Sequence, residues 1–148
     1  MAAAAFAAGC GGGREDTSSV ASHVKTEFVK RANAVCEREK AGLAGKESAF
    51  LKLHSSDREP FQERYADMVH FILLPMIEAQ IVRIERLGAP VGEEGRIGAL
   101  ISSQRLAIDY LAGSARIASP KAVANRFKAS SEMFRAYGLA SCANGPKL

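Results

Sequence analysis

The spacing of apolar residues is the feature that most constrains the fold of this chain. From Ser19 onward they recur at intervals of three and four, which places them on one face of an α-helix. No segment shows the sustained alternation of a half-buried strand. The chain has 148 residues, enough for one core and too few for two of ordinary size. The sequence therefore predicts an all-α domain over residues 20–148, an up-and-down antiparallel bundle of about four main helices.

Glycine, proline and capping residues predict where these helices begin and end. Gly42 is expected to end the first helix, and Pro75 to kink the long helix because it removes a backbone hydrogen bond. Ser119 followed by Pro120 is a favourable helix start, and Gly138 is a favourable end. The expected helices cover about 20–40, 47–54, 59–87, 93–113 and 120–137.

Two features of the predicted core are specific enough to test. The run Phe71–Leu74 is apolar on all sides, so we expect it to be the most buried stretch of the chain. Gln104 is the one polar residue in the apolar seam of its helix, where it can set the helix register, line a small pocket, or lie at the core boundary. The seam of the first helix is expected to begin with Val20, Val24 and Phe28.

The N-terminal residues contain a pattern that is typical of a targeting signal. Ala7-Ala8-Gly9-Cys10 resembles the lipobox of bacterial lipoproteins, in which a cysteine after small residues is acylated. The resemblance implies lipid on Cys10, and residues 11–19 are then a Gly-rich tether with a reach of about 15–20 Å. Ala7 stands where leucine is usual and no basic residue precedes it, so residues 1–19 are interpreted as a truncated signal plus this tether. The alternative is an Ala/Gly-rich leader of a cytosolic protein, in which Cys10 is an exposed thiol. No run approaches the roughly 20 consecutive apolar residues of a spanning helix.

The number of cysteines agrees with an exported, lipid-anchored protein. If Cys10 carries lipid, Cys36 and Cys142 remain as an even pair. A bond between them would close almost the whole domain into one loop, for which chain entropy predicts about 4–5 kcal/mol of stabilisation. The alternative is two buried free thiols in a reducing cytosol. Neither cysteine has the spacing of a zinc site or a redox pair, so we expect no metal and no catalytic thiol.

Three short motifs carry a resemblance to a protein family. They are Ala32-Asn33-Ala34-Val35-Cys36, Arg86-Leu87-Gly88-Ala89-Pro90-Val91-Gly92-Glu93-Glu94 and Tyr137-Gly138-Leu139-Ala140-Ser141-Cys142. Together they resemble an uncharacterised family of small exported, often lipoprotein-like helical proteins of actinobacteria, with an early cysteine and a Tyr-Gly-Leu-x-x-Cys ending. The resemblance implies a helical domain tied by Cys36 and Cys142, and no known activity.

Several polar residues are candidates for sites of chemistry. Glu63, Asp67 and His70 share one stripe of the long helix and could hold a metal, but a solvated polar face is the expected interpretation. Glu78 and Glu85 could supply paired carboxylates, and they are likewise expected to be solvated charges. Surface positions without a metal role are expected for His23 and His54. Bundle positions with hydroxyls at the rim are expected for Tyr65, Tyr110 and Tyr137.

Charge excludes one class of partner and suggests another. The net charge of +4 is spread along the chain, too diffuse for nucleic-acid binding. Arginines of successive helices could form a weakly basic face toward anionic lipid headgroups: Arg83, Arg86, Arg96, Arg105 and Arg116.

These observations predict a noncatalytic lipoprotein on the outer face of a bacterial cytoplasmic membrane. It would be tethered through lipid on Cys10, use no cofactor and bind an unknown protein or small ligand. Two alternatives remain: a cytosolic helical interaction protein with three free thiols, and a metal- or ligand-dependent enzyme that uses His70 with nearby acids.

Overall fold

A computed structural model describes residues 16–54, 60–114 and 119–144, and it confirms the all-α bundle. The elements are α1 (Asp16–Leu53), α2 (Phe61–Met68), a π-helical segment (Val69–Leu73), α3 (Leu74–Arg86), α4 (Glu94–Ala112), α5 (Pro120–Tyr137) and a 3-10 turn (Ala140–Cys142). Because α2, the π-helical segment and α3 follow one another without a break, the described residues form four helical rods and no strand.

Contacts between neighbouring rods establish the antiparallel arrangement. The α1 helix packs on α3, α3 packs on α4, and α4 packs on α5. Arg96 near the start of α4 lies over the ring of Tyr137 at the end of α5, whereas Tyr110 near the end of α4 contacts Arg126 of α5. The core is one cluster to which all four rods contribute buried apolar side chains, including Phe28, Ile77, Ile101 and Phe127.

The first helix is much longer than predicted, and the predicted break at Gly42 is wrong. α1 runs without interruption from Asp16 to Leu53, through both Gly42 and Gly45, so the expected short helix over 47–54 is its continuation. A glycine inside a helix costs only about 1 kcal/mol relative to alanine, which the surrounding helix formers offset. The start at Asp16 also lies inside the predicted tether, residues 11–19.

The helix around Pro75 adapts by a local change of helical geometry. The π-helical segment Val69–Leu73 directly precedes α3, and Pro75 lies in the first turn of α3. Proline removes a donor and clashes with the preceding turn of a regular α-helix, and a π-helical turn shifts that backbone. The shift also rotates side chains: Leu73 and Leu74 are buried, but Phe71 is 72% exposed. The prediction that Phe71–Leu74 is the most buried stretch is therefore wrong.

One described helix, Phe61–Arg86, is long and apolar enough to cross a membrane by length and composition alone. In this bundle 44% of its most apolar window is buried inside the protein. Its buried face includes Ile77, Ile81 and Ile84, which belong to the common core. Core helices of globular bundles pass the same test, so the finding is weak evidence for a spanning segment.

The boundaries of the last helix agree with the sequence prediction. Ser119 caps α5, its hydroxyl accepting a hydrogen bond from the Ala122 N–H at 3.2 Å, and Pro120 is the first helical residue. Gly138 ends the helix with a φ of 99°, a left-handed conformation that glycine adopts without strain. The Leu139 N–H then donates to the Phe134 carbonyl at 2.8 Å. This backbone reversal directs the chain back along α1.

Candidate functional site

Residues 138–144, the C-terminal segment, return along α1 and are fastened to it. The sulfurs of Cys36 and Cys142 lie 2.08 Å apart, a disulfide-bonding distance, and their Cα atoms are 5.1 Å apart. Both side chains are buried, so solvent reaches neither sulfur. The structure thus brings together the two cysteines that the sequence analysis paired.

Polar contacts fasten the same segment on both sides of the cysteines. The Asn33 amide donates to the Gly138 carbonyl and accepts from the Ser141 N–H, each at 2.9 Å. The Ser141 hydroxyl donates to the Glu37 carboxylate at 2.8 Å, and the Lys40 ammonium donates to the Ala143 carbonyl at 3.1 Å. The C-terminal segment is therefore held along two turns of α1.

Buried amides connect this segment to α3. Asn144 donates to the side-chain oxygen of Gln80 at 2.8 Å, and Gln80 donates to the Cys36 carbonyl at 3.4 Å. The Ser131 hydroxyl of α5 donates to the carbonyl of Asn144. Gln80 therefore links α1, α3 and the C-terminal segment at one buried point. Gln80 was not predicted from the sequence, although it lies three residues after Ile77 and so shares the apolar face of α3.

Gln104 is buried to the same degree. Its side chain is only 1% exposed, so the boundary interpretation is wrong. Its amide nitrogen has no hydrogen-bond partner among the described residues, which leaves a buried donor unsatisfied at a cost of about 1–3 kcal/mol. Gln104 lines neither of the two clefts described below.

One end of the bundle combines charged and aromatic residues. We call it the tether end: the start of α1, the turn of residues 87–93 and the end of α5. The Lys25 ammonium lies 3.1 Å from the Glu93 carboxylate and 4.7 Å from the ring centre of Tyr137. Arg96 lies 3.7 Å from Glu93, and Phe28 packs edge-on against Tyr137 with ring centres 6.4 Å apart. These contacts join three rods at this end.

The protonation of this cluster follows from its contacts. The hydrogen bond from Lys25 holds the pKa of the Glu93 carboxyl below its ordinary value, and the charges of Lys25 and Arg96 lower it further. Burial raises the pKa of Tyr137 to about 12, and the negative charge of Glu93 adds to the effect. At neutral pH the cluster therefore contains an ionised carboxylate, two cations and a neutral phenol.

Two shallow clefts flank the cluster. One, of about 300 Å³, lies between α1 and the turn and is lined by residues that include Val24, Phe28, Arg31 and Pro90. The other, of about 210 Å³, lies between α4 and α5 beside Tyr137. An apolar floor with a cation at its rim suits small amphipathic molecules or the edge of a larger partner.

The candidate metal-binding residues are not brought together. Across the described ranges, no group of three or more His, Cys, Asp or Glu side chains could hold a metal ion. Glu63, Asp67 and His70 therefore do not form a metal site. His54 packs its ring against Phe50 with centres 4.3 Å apart, and His23 lies at the rim of the larger cleft.

The paired carboxylates of α3 are bound to an arginine of α4. Arg105 donates two hydrogen bonds of 2.9 Å to Glu85 and lies 3.5 Å from Glu78. Both carboxylates lie at the surface, in agreement with the predicted solvated charges, and they share one cation across the α3–α4 interface. The hydrogen bond to Glu85 and the negative charges of Glu85 and Glu78 raise the pKa of Arg105.

The predicted basic face is divided among different surfaces. Arg83 pairs with Glu39 at 2.8 Å and Arg105 with Glu85, on the sides of the bundle. Arg86 and Arg96 flank the turn at the tether end and are exposed. Arg116 lies outside the described residues.

The three tyrosines differ from one another. Tyr65 and Tyr137 are buried, contrary to the expectation of rim hydroxyls. Burial raises the pKa of Tyr65, with a smaller contribution from Glu47. Tyr110 is exposed and lies under the Arg126 guanidinium, 3.2 Å from ring centre to carbon. Tyr137 lines the smaller cleft, and the Lys25 ammonium lies 4.7 Å from its ring centre.

The predicted lipidation site Cys10 lies outside the described residues, as do residues 1–15 in general. Comparison of the chain with protein-family models, with curated proteins and with solved structures finds no match. The function is therefore inferred from the residues and contacts described above.

Proposed function

We propose that this protein is a noncatalytic, lipid-anchored binding module of the bacterial envelope, of the exported lipoprotein-like type that its motifs resemble. Cys10 carries the lipid, and the helical bundle stands on the outer face of the cytoplasmic membrane. The bundle offers its clefts and charged surfaces to an extracytoplasmic protein or small ligand.

The observation that carries the proposal is the buried pair Cys36 and Cys142. Their sulfurs lie at bonding distance across 106 residues of sequence, and hydrogen bonds fasten the chain on both sides of them. Disulfides form and persist in oxidising compartments such as the extracytoplasmic space of bacteria, and they are rare in the cytosol. A pair this well supported by its surroundings favours an exported protein.

The remaining cysteine supports the anchor. With Cys36 and Cys142 paired, Cys10 is the one cysteine of the sequence that remains. It follows small residues in the pattern that resembles a lipobox, and acylation would consume its thiol. Each of the three cysteines then has a role.

The side chains with catalytic potential support binding more than chemistry. Glu78 and Glu85 form ion pairs with Arg105, and Glu93 forms ion pairs with Lys25 and Arg96. A general base needs a free lone pair directed at its substrate, and a carboxylate held in an ion pair is a poor one.

The test is a non-reducing peptide map, by mass spectrometry, of the protein purified from its native host. We expect a diacylated or triacylated peptide containing Cys10 and a cross-linked pair of peptides containing Cys36 and Cys142. An unmodified Cys10 peptide together with three alkylatable thiols would refute the proposal and favour the cytosolic alternative.

A matched variant separates the anchor from the fold. Cys10→Ala should move the protein from the membrane fraction to the soluble fraction without changing its thermal unfolding, because Cys10 precedes every helix of the described bundle. If Cys10→Ala remains with the membrane, the lipid is not the anchor.

A further inference from the structure

The tether end carries exposed apolar side chains that the bundle itself does not cover. Val91 is 91% exposed, the highest value among the large apolar residues that the structure describes. Val20 is 61% exposed and Val24 is 44% exposed, on the same face of α1 one turn apart. The spacing of apolar residues predicts that Val20 and Val24 begin a core seam, and the structure contradicts that prediction.

These valines belong to one region of the surface. Val24 lines the larger cleft together with Leu87, Ala89 and Pro90, and Val91 directly follows Pro90. The ion pair of Lys25 with Glu93 fastens α1 to the same turn at 3.1 Å. We call Val20, Val24 and Val91 the valine patch.

The turn holds Val91 outward in a defined conformation. The Glu93 N–H donates to the Pro90 carbonyl at 2.9 Å, which closes a four-residue turn with Val91 and Gly92 at its centre. Gly92 has a φ of 83°, the left-handed value that a type II turn requires at its third position. Pro90 is buried beneath the turn, so Val91 projects from an anchored base.

The length of chain before α1 indicates what covers the patch. Six Cα–Cα steps separate Cys10 from Asp16, and a fully extended chain spans about 3.3–3.6 Å per residue, or about 20 Å in all. Val20 is one helical turn beyond Asp16. By contrast α1 has 38 residues, so Leu53 lies about 55 Å from its start. A lipid on Cys10 keeps the tether end, and not the opposite end, at the bilayer surface.

The charge of this end is compatible with an anionic bilayer. Among described residues 19–31 and 86–96, five cations stand against three acids. The cations are Lys25, Lys30, Arg31, Arg86 and Arg96, and the acids are Glu27, Glu93 and Glu94. Basic residues near apolar ones are the pattern of surfaces that lie in a membrane interface.

We propose that the valine patch is a membrane-docking surface: Val91, Val20 and Val24 enter the headgroup region of the bilayer in which the lipid of Cys10 is embedded. This proposal rests on the proposed lipid anchor and adds to it a fixed orientation of the bundle. The opposite end, with Leu53 and Phe61 exposed, then points away from the membrane.

The experiment supplies the anchor chemically, so its result does not depend on acylation in cells. The full chain contains no tryptophan, and Val91→Trp introduces a single fluorescent reporter. With Cys36 and Cys142 paired, the thiol of Cys10 is coupled to a maleimide lipid in vesicles of phosphatidylglycerol and phosphatidylethanolamine. We expect a blue-shifted emission from Trp at this position and several-fold stronger quenching by lipids brominated near the headgroup than in the control variant.

The matched control is Leu53→Trp, at a residue 77% exposed on the far end of α1. Equal quenching at the two positions would show a bundle tumbling freely on its tether and would overturn the proposal, as would quenching at 53 alone. A blue shift at 91 that depends on protein concentration without vesicles would also overturn it, because a second copy would then cover the patch.

A second variant tests the role of the apolar side chain without relying on one reporter. In a Val20→Trp chain, quenching by the brominated lipids should fall several-fold when Val91→Asp is added, because a carboxylate is expelled from the interface. Unchanged quenching would contradict docking through the turn. Absence of acylation in the native protein would instead refute the anchor, so the two proposals fail by different measurements.

Discussion

Residues 28–53 of α1 form one continuous helix, but the two halves of this stretch differ in what holds them in place. Residues 28–40, the locked half, bury Phe28, Ala32 and Cys36 and are fastened to the C-terminal segment. Residues 41–53, the distal half, contain no buried side chain among those described, although Leu43 packs partly against the core. Helical geometry is therefore the same in both halves, whereas tertiary support is concentrated in one.

The difference teaches where the stability of this bundle resides. In proteins most helical stability comes from packing of one face, and propensity alone is marginal. The locked half has packing, a disulfide and side-chain hydrogen bonds from Asn33 and Lys40. We therefore expect the locked half to resist local unfolding and the distal half to open first.

The largest effect should come from breaking the disulfide. In the double variant Cys36→Ala and Cys142→Ala, the free energy of unfolding should fall by about 2–5 kcal/mol, because a loop of 106 residues is no longer closed in the unfolded chain. Urea unfolding followed by circular dichroism measures the change. Hydrogen exchange should show the largest loss of protection in the locked half.

The control is Cys10→Ala, which leaves the pair intact and should unfold at the same urea concentration as the natural sequence. A double variant as stable as that control would show that the cross-link does not distinguish the two halves. A loss of protection confined to the distal half would contradict the comparison directly.

A smaller effect is expected at Asn33, whose amide joins α1 to the C-terminal segment twice. Asn33→Ala removes both hydrogen bonds and should lower the free energy of unfolding by about 1–2 kcal/mol. Asn33→Asp keeps the acceptor for the Ser141 N–H and loses the donor to the Gly138 carbonyl. Its free energy of unfolding should therefore lie between those of the natural sequence and Asn33→Ala. Urea unfolding of the three proteins measures the order.

Asn125→Ala serves as the matched control, because Asn125 is exposed on α5. Its effect should stay within about 0.5 kcal/mol. If Asn33→Ala and Asn125→Ala are equally mild, the hydrogen bonds of Asn33 add nothing to the disulfide.

The fold was largely predictable from the sequence because the residues that begin and end its helices act locally. Ser119, Pro120 and Gly138 set the limits of α5 by backbone preferences that act within a few residues. Gly42 has the same kind of preference, but it does not end α1, because a single glycine weakens a helix without reversing the chain. Local signals therefore predicted the ends of helices better than their continuity.

The candidate site was less predictable because it depends on contacts between distant residues. The paired cysteines followed from counting, but the role of Gln80 requires knowing that Asn144 returns beside it. The exposure of Phe71 depends on the π-helical segment before Pro75, and an α-helical pattern cannot reveal that change of phase. The exposure of Val20 and Val24 depends on how far the other rods extend along α1.

Alkaline pH should weaken the start of the locked half through Tyr137, which packs against Phe28. Its pKa is raised to about 12 in the folded protein from the ordinary tyrosine value of 10.0. The folded protein thus keeps a proton that the unfolded chain loses, so stability is complete below pH 10 and falls as pH rises toward 12. The loss should be on the order of 1 kcal/mol.

Tyr137→Phe removes this titration and provides the comparison. Urea unfolding of both proteins between pH 9 and pH 12, in a Cys10→Ala background that prevents thiol exchange, should show a steeper decline for the tyrosine protein. All other groups that titrate are common to both proteins. Parallel declines would contradict a raised pKa at Tyr137.

The smallest effect should have the opposite sign and lie in the distal half. Gly42 and Gly45 are helical, and a Cβ atom added at either position would meet no other atom within 4 Å, so alanine fits at both. Each Gly→Ala change should stabilise the helix by about 0.5–1 kcal/mol by restricting the unfolded chain. Because the distal half opens before the rest, the gain should appear as slower hydrogen exchange there, with little change in the global unfolding midpoint. Gly138→Ala, at a φ of 99°, should instead destabilise the protein, since alanine is strained in that conformation. A distal half that exchanges as slowly as the locked half before any substitution would contradict the assignment of stability to packing and cross-linking.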